Sequence, residues 1–209
     1  MIEGPIVTNL VGEFNWRWET LEGSPLKAEI APLIQEGLPV QFLAQRPGQA
    51  EIAAAYFEQI NAAQKQIILA SPYISYTPFL RALVQARQRG VKVVLIFPQQ
   101  TSDMDISQRV FQSQQQLLLE GGVELYANNR RMVHSKVMVV DGRQTIIGSF
   151  NLDYRSFKHD LESAVVVEDS AFGNEVINRV FQSYLDISER VTTVPRKWFL
   201  LEWLVQPFT

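Results

Sequence analysis

An α/β sandwich built on a mixed central sheet is the fold class this sequence predicts, on three observations. Helical and strand signals alternate along residues 40–127, the pattern of helices packed on a sheet. Residues 91–97 form a near-continuous apolar run, as a parallel strand covered on both faces does. Residues 133–150 read as a β-hairpin: a β-branched run, the turn signal Asp141-Gly142, then a second run. The alternating units supply parallel strands and the hairpin adds antiparallel ones.

Taken in order, residues 5–18 carry apolar side chains at Ile6, Val7, Leu10, Val11 and Phe14, a helical spacing. The same spacing returns at Val176, Ile177, Val180, Phe181 and Tyr184, a shift of 170 positions. Amphipathic helices resemble one another, so this repeat has an ordinary explanation as well as an informative one. Residues 20–37 are a polar linker punctuated by glycine and proline. A short strand is expected over 40–44, a helix over 51–64 with Ile52, Ala55, Tyr56 and Ile60 as its stripe, and a strand over 66–73. Thr77-Pro78 reads as an N-cap followed by proline at the first helical position, and Gly90 ends that helix. After the strand at 91–97, residues 103–120 form a glutamine-rich helix stopped by Gly121-Gly122, and 123–127 a further strand. Beyond the hairpin, 163–167 is a strand and 171–188 the closing helix. The tail, residues 196–209, has two tryptophans, two phenylalanines and several leucines behind Arg196-Lys197. It suits an interfacial membrane helix, or equally one packed against the domain or a partner.

At 209 residues the chain can bury one well-formed core. The hydrophobic share of 46% and charged share of 20% are those of an ordinary globular protein. A net charge of −3 gives no bulk attraction to nucleic acid or anionic lipid. With no cysteine there is no disulfide framework and no thiolate nucleophile, and two histidines leave little for a transition-metal cage. Hydrolytic chemistry is therefore expected to need no metal or other cofactor. The first ten residues have neither the basic region nor the apolar core of a signal peptide, and no apolar run reaches membrane-spanning length. A cytoplasmic location with peripheral membrane contact is expected.

The hairpin concentrates the chemistry. Alternation places His134, Lys136, Met138 and Val140 on one face of its first strand. With a four-residue loop over 141–144, Val140 pairs with Thr145, His134 faces Asn151, and Lys136 faces Ser149. A two-residue turn slides the pairing but keeps those four on one face; a three-residue loop breaks the arrangement. An imidazole, an ammonium, a hydroxyl and an amide would then share one patch: a nucleophile with three groups able to hold phosphate oxygens.

The spacing His134-x-Lys136, four residues, Asp141, six residues, Gly148-Ser149-x-Asn151 resembles the HKD signature of the phospholipase D superfamily. The resemblance extends from about residue 39 to 191. It includes Ser71 to Ser75 (SPYIS), the proline-plus-aspartate stretch 98–103, and Leu152 to Ser156 (LDYRS). Within the superfamily it is most similar to the C-terminal half of bacterial cardiolipin synthases. This implies an opening helix left over from a preceding lobe plus linker (1–37), a catalytic lobe with one signature (38–191) and an apolar tail (192–209). It also implies a phosphodiesterase or phosphatidyltransferase acting on phospholipid through a covalent phosphohistidine on His134. Lys136 and Asn151 would hold the non-bridging oxygens and Ser149 would add a hydroxyl donor. Glu162, matching the acidic residue that follows the signature in the family, is the candidate to anchor the other ring nitrogen of His134.

Other residues read as supporting. Asp141 is a turn former that bonds nearby amides, and Gly148 a packing requirement near bound phosphate. Tyr73 either lines the substrate cleft or caps the core. His159 belongs to a surface loop, and Asp153, Arg155 and Asp160 to loop salt bridges. One signature supplies no second acid for the leaving alkoxide, so a partner lobe is required, from the same protein or a homodimer mate. Two other readings stand beside this one. A small homodimeric nuclease would need basic grooves that the charge does not advertise. An inactive lone lobe kept as an interaction module would have no need of His134, Lys136 and Asn151.

Overall fold

The computed structural model describes residues 4–27, 37–99 and 105–194. The tail 196–209, residues 28–36 of the linker and most of the 98–103 stretch lie outside the described residues.

Among the described residues, nine strands form one mixed sheet: β1 (Val40–Arg46), β2 (Gln49–Ala50), β3 (Gln66–Ala70), β4 (Lys92–Pro98), β5 (Glu124–Asn128), β6 (Val137–Val140), β7 (Gln144–Gly148), β8 (Glu162–Glu168) and β9 (Ser188–Val191), in the order β2-β1-β8-β7-β6-β3-β4-β5-β9. Strands β3, β4 and β5 are parallel, and every other neighbouring pair is antiparallel. The helices are α1 (Ile6–Glu19), α2 (Glu51–Ala62), α3 (Thr77–Gln88), α4 (Asp105–Glu120), the short α5 (Tyr154–Lys158), α6 (Ser170–Val176) and α7 (Gln182–Leu185). A single π turn, Ile177–Phe181, joins the last two into one closing helix. The α/β sandwich with a mixed sheet is the fold the sequence predicts.

Two apolar clusters lie on opposite faces of the sheet. One gathers Tyr56, Ile60, Phe79 and Leu83 of α2 and α3 with Leu69, Leu95, Met138 and Ile146. The other sets Val176 and Phe181 of the closing helix against Ile68, Val94, Ile96, Val137 and Val139. Each fully buried Phe, Ile or Leu contributes about 2 kcal/mol, so the two clusters outweigh any single ion pair in holding the sandwich together.

Element ends differ from expectation by a few residues, with identifiable causes. Tyr76, not Thr77, occupies the N-cap of α3; Thr77 is already helical and its Oγ accepts from Gln114 Nε2 at 2.7 Å. Helix α5 begins at Asp153, whose carboxylate accepts from Ser156 N–H at 2.8 Å. Asp153 is therefore a buried helix cap and not a loop ion pair, whereas Arg155 and Asp160 do pair at 3.0 Å. The closing helix stops at Leu185, and Ser188–Val191 pairs antiparallel with β5 as an edge strand. Its exposed Glu189 and Arg190 suit an edge.

The hairpin has a three-residue connection, which corrects the four-residue alternative. Asp141 (φ 54°) and Gly142 (φ 66°) both take the left-handed conformation, and Arg143 N–H returns to Val140 O at 3.0 Å. Val140 therefore pairs with Gln144 and Val137 with Ile147. Asp141 does more than form the turn. Its carboxylate accepts from the amides of Gln64 (2.9 Å), Lys65 and Gln66 (2.8 Å each), 75 to 77 positions away, at the start of β3. Its own N–H donates to Gln66 O at 2.8 Å. One aspartate thus ties the hairpin to β3 and sets that register. Partial burial alone would raise this carboxyl's pKa, but the three amides and the Lys65 charge outweigh it and hold the value below the ordinary one.

Asp141→Asn keeps a side chain that tolerates positive φ but weakens the charge-assisted bonds. It should lower stability by about 1–2 kcal/mol, read as a lower urea midpoint with an unchanged slope. A carboxyl with a depressed folded pKa contributes fully above about pH 4, and the contribution fades as pH falls through the folded value. The gap between wild type and mutant should therefore close on acidification below pH 4.

Candidate active site

The three-residue loop moves the signature residues out of the simple face-to-face arrangement. Lys136 now lies across from Gly148, whose N–H donates to Lys136 O at 3.2 Å. Strand β6 begins only at Val137 and β7 ends at Gly148, so 134–136 and 149–151 lie outside the hairpin ladder. Ser149 turns instead to β8. Its N–H donates to Ser163 O at 2.9 Å, and Ser163 N–H donates to Ser149 Oγ at 3.1 Å. Gly148 makes this possible: a Cβ there would sit 2.7 Å from Ala164 Cα and press on the Ser163 carbonyl. The glycine answers the close approach of β8.

His134 is exposed. Lys136 Nζ lies 3.3 Å from its Nδ1 and 3.4 Å from its Nε2, and 3.2 Å from its backbone oxygen. The ammonium straddles the two ring nitrogens, so it is in line with neither lone pair. Tyr73 meets the ring edge-on, with centroids 6.3 Å apart and planes 88° apart. Tyr73 therefore stands beside the candidate nucleophile, which favours the cleft-lining alternative. Its backbone oxygen accepts from Leu152 N–H at 3.0 Å, and Ser75 N–H donates to Leu152 O at 2.9 Å. The SPYIS and LDYRS stretches are thus bonded to each other, one framing each side of the site.

Glu162 is buried, and its oxygens accept from Ser149 Oγ and from Ser156 Oγ, the latter at 2.8 Å. The expected anchoring of His134 by Glu162 is not what the side chain does here. Two serine hydroxyls occupy its oxygens, and the described contacts of the His134 ring are Lys136 and Tyr73. Ser149 likewise spends its proton on Glu162, so its part is to orient the acid. Asn151 N–H donates to Ser156 Oγ at 3.2 Å, while its buried Oδ1 has no hydrogen-bond partner among the described residues. An unpaired buried amide oxygen costs about 1–3 kcal/mol, a cost that a bound group can relieve.

Charge completes the picture. Burial pushes the Lys136 pKa down, with the charges of Glu162 and Asp153 opposing the shift, so its ordinary value is lowered. Burial raises the Asp153 carboxyl despite its bonds to Ser156, and the neighbouring Asp160 and Glu162 add to the rise. Burial, and then the Glu162 charge, keep the Tyr56 phenol protonated far above neutrality. Sequence reasoning missed Ser156 and Asp153 as members of this network. The only available signal was Asp153-x-x-Ser156, the spacing of a helix cap. His159 is exposed, at the end of α5.

Residues 56–185 match the family described as cardiolipin synthase, phospholipase D-like domain. The chain belongs to this family. It is 33% identical over 186 residues to cardiolipin synthase A of Yersinia pseudotuberculosis, an alignment covering 84% of this chain and 38% of that protein. The chain thus spans well under half the length of that relative. Among solved structures, it resembles the phospholipase D family member Nuc from Salmonella typhimurium (TM-score 0.63, 20% identity, 75% of this chain and all of that one). It also resembles phosphatidylserine synthase from Haemophilus influenzae (TM-score 0.66, 14% identity, 87% of this chain and 49% of that one). At these identities the two structures share the fold of this phospholipase D-type domain.

Two substitutions test the geometry. Gly148→Ala should cost about 1–3 kcal/mol, since neither the Ser163 carbonyl nor Ala164 Cα can swing away. An unchanged melting temperature would show that β8 can yield. Glu162→Gln removes the charge that raises the Lys136 pKa, so the ammonium should titrate lower still. A Lys136-assigned carbon resonance followed against pH reads that shift, and an upward or absent shift refutes the coupling.

Proposed function

We propose that this chain is the catalytic lobe of a phosphatidyltransferase or phosphodiesterase that acts on phospholipids without a metal, through a phosphohistidine on His134. The observation that carries the proposal is the exposed His134 ring, with the Lys136 ammonium against both of its nitrogens. When phosphate arrives, that ammonium can turn to a non-bridging oxygen, freeing an imidazole nitrogen to attack phosphorus. The P–N bond forms as the ester P–O bond breaks, and the leaving alkoxide takes a proton from an acid. An acceptor alcohol, or water, gives its proton to the conjugate base of that acid and attacks phosphorus; a new P–O bond forms and the P–N bond breaks. Asn151 would act with both ends of its amide: Nδ2 can donate to a second phosphate oxygen, and Oδ1, buried and without a partner among the described residues, can accept from the hydroxyl of the acceptor. Glu162, held by Ser149 and Ser156, supplies a negative charge that opposes the lowering of the Lys136 pKa by burial.

The acid comes from a second lobe with its own signature. Two observations support that reading. The chain covers only 38% of the length of cardiolipin synthase A. In addition, the helical stripe repeated along the chain has two different environments. In the closing helix, Val176 and Phe181 are buried on the sheet, with Ile177, Val180 and Tyr184 packed around them. In α1 the matching Ile6, Val7, Leu10 and Val11 are half-buried and Phe14 is exposed, and among the described residues neither apolar cluster includes any residue of α1. A stripe of the kind that covers a sheet is only partly covered here, as it would be if its sheet belonged to the preceding lobe. No helix among the described residues is long and apolar enough to cross a membrane. Contact with the bilayer is assigned to the periphery, where lipid headgroups can reach an open site.

His134→Ala should abolish turnover of phosphatidylglycerol vesicles by at least about 10³-fold while leaving the melting temperature within a few degrees, because the ring is exposed. Wild-type protein, joined to or mixed with a first lobe, should trap labelled phosphate on histidine in excess EDTA. Label that depends on a divalent ion, or that persists in the mutant, refutes the mechanism. Nicking of plasmid without any change in lipid would move the substrate to nucleic acid.

A further inference from the structure

Helix α1 lies outside the residues that match the family, yet it reaches the site. Its polar contacts with the domain centre on one buried carboxylate. The Glu13 carboxylate, only 6% exposed, is shared by two guanidiniums: Arg17 Nε at 2.7 Å and Arg46 Nη2 of β1. Arg46 is in turn stacked over the Trp16 ring, 3.6 Å from its centroid. With its Nε committed to Glu13, Arg17 uses Nη2 to donate to Glu162 O at 3.3 Å and to Ser163 Oγ at 3.1 Å. Those two residues are the start of β8, where Ser163 exchanges two bonds with Ser149 and where Glu162 sends its carboxylate to Ser149 and Ser156.

We propose that Arg17 is a positioning residue for Glu162, clamping the 162–163 backbone from α1 so that the carboxylate meets Ser149 and Ser156. This rests on the reading of that cluster as an active site. Arginine suits the task because its guanidinium presents separate nitrogens in a fixed fork, one for Glu13 and another for the strand. A lysine has a single nitrogen and can serve one side only. The clamp also makes the segment leading into the domain part of the catalytic apparatus. Movement of α1, for instance when a preceding lobe engages its partly covered stripe, would reach Glu162 through one side chain.

The test uses Arg17→Ala and Arg17→Lys in this chain joined to or mixed with a first lobe, as for the wild-type protein, with Arg179→Ala, a remote exposed ion pair, as control. Arg17→Ala should lower kcat about tenfold on phosphatidylglycerol vesicles with KM changed less than about twofold, since the residue touches no substrate. The alkaline limb of the rate profile should move to lower pH as Glu162 loses its hold beside Lys136. Arg17→Lys should recover part of both effects. In parallel, amide exchange at Ser149 and Ser163 should quicken about tenfold in Arg17→Ala, while Leu95 and Ile96 of β4 keep their protection. If the wild-type protein turns over no phosphodiester, the functional reading fails, but the exchange result still decides the clamp. Unchanged exchange at Ser149 and Ser163, or a loss of activity that only follows the folded fraction with no shift in the pH limb, overturns the proposal.

Discussion

Burying a carboxylate next to a sheet costs free energy unless donors meet its oxygens, and Glu162 meets this condition with two hydroxyls. Much of the local design follows from satisfying that one group. Ser149 can reach it only because β7 and β8 run close together at Gly148 and Ala164. Ser156 reaches it because Asp153 starts a short helix directly after the signature. The same Ser156 hydroxyl accepts from Asn151 N–H, so the acid's support and the amide's placement are coupled. The site is accordingly a network anchored on β8 as much as a feature of the hairpin.

The hairpin is held from its far end. Asp141 collects three amides from the start of β3 and donates its own N–H back, so β6 cannot slide against β3 without losing four bonds. A slip by one residue would also exchange the two core faces, moving Met138 and Val140 to the side of Val137 and Val139. The aspartate of the signature thus sets the register of the hairpin from the end far from His134. Its depressed pKa reflects that structural load.

Two kinds of contact hold helices to this sheet. The closing helix is bound by apolar burial, which has no fixed direction and tolerates small shifts. Helix α1 is bound by Glu13, Arg17, Arg46 and the Trp16 ring, where geometry and charge must match. Directional contacts of this sort transmit displacement to the groups they hold. Helix α1 is therefore attached by contacts suited to passing movement to Glu162.

The fold class, the parallel run, the hairpin and the signature residues were all legible in the chain, because apolar periodicity and turn chemistry are local properties. His134 and Lys136 do share a neighbourhood, and Tyr73 lies beside them as one alternative allowed. Short elements escaped notice: Ser188–Val191 and Tyr154–Lys158 are too brief to show a period, and their state depends on a neighbouring edge or a single cap. The three-residue loop was among the options the residues left open, and only pairing with β3 and β8 selected it. Likewise, Glu162 could be named from its place after the signature, but not its partners. Which hydroxyls a buried carboxylate finds depends on strands brought together from distant parts of the chain. The sequence by itself determined the secondary-structure pattern, the core faces and the chemical groups at the site. Tertiary structure decided the register, the serine pair around Glu162 and the reach of Arg17 across 145 positions, because these are bonds between segments whose separation only the folded sheet removes.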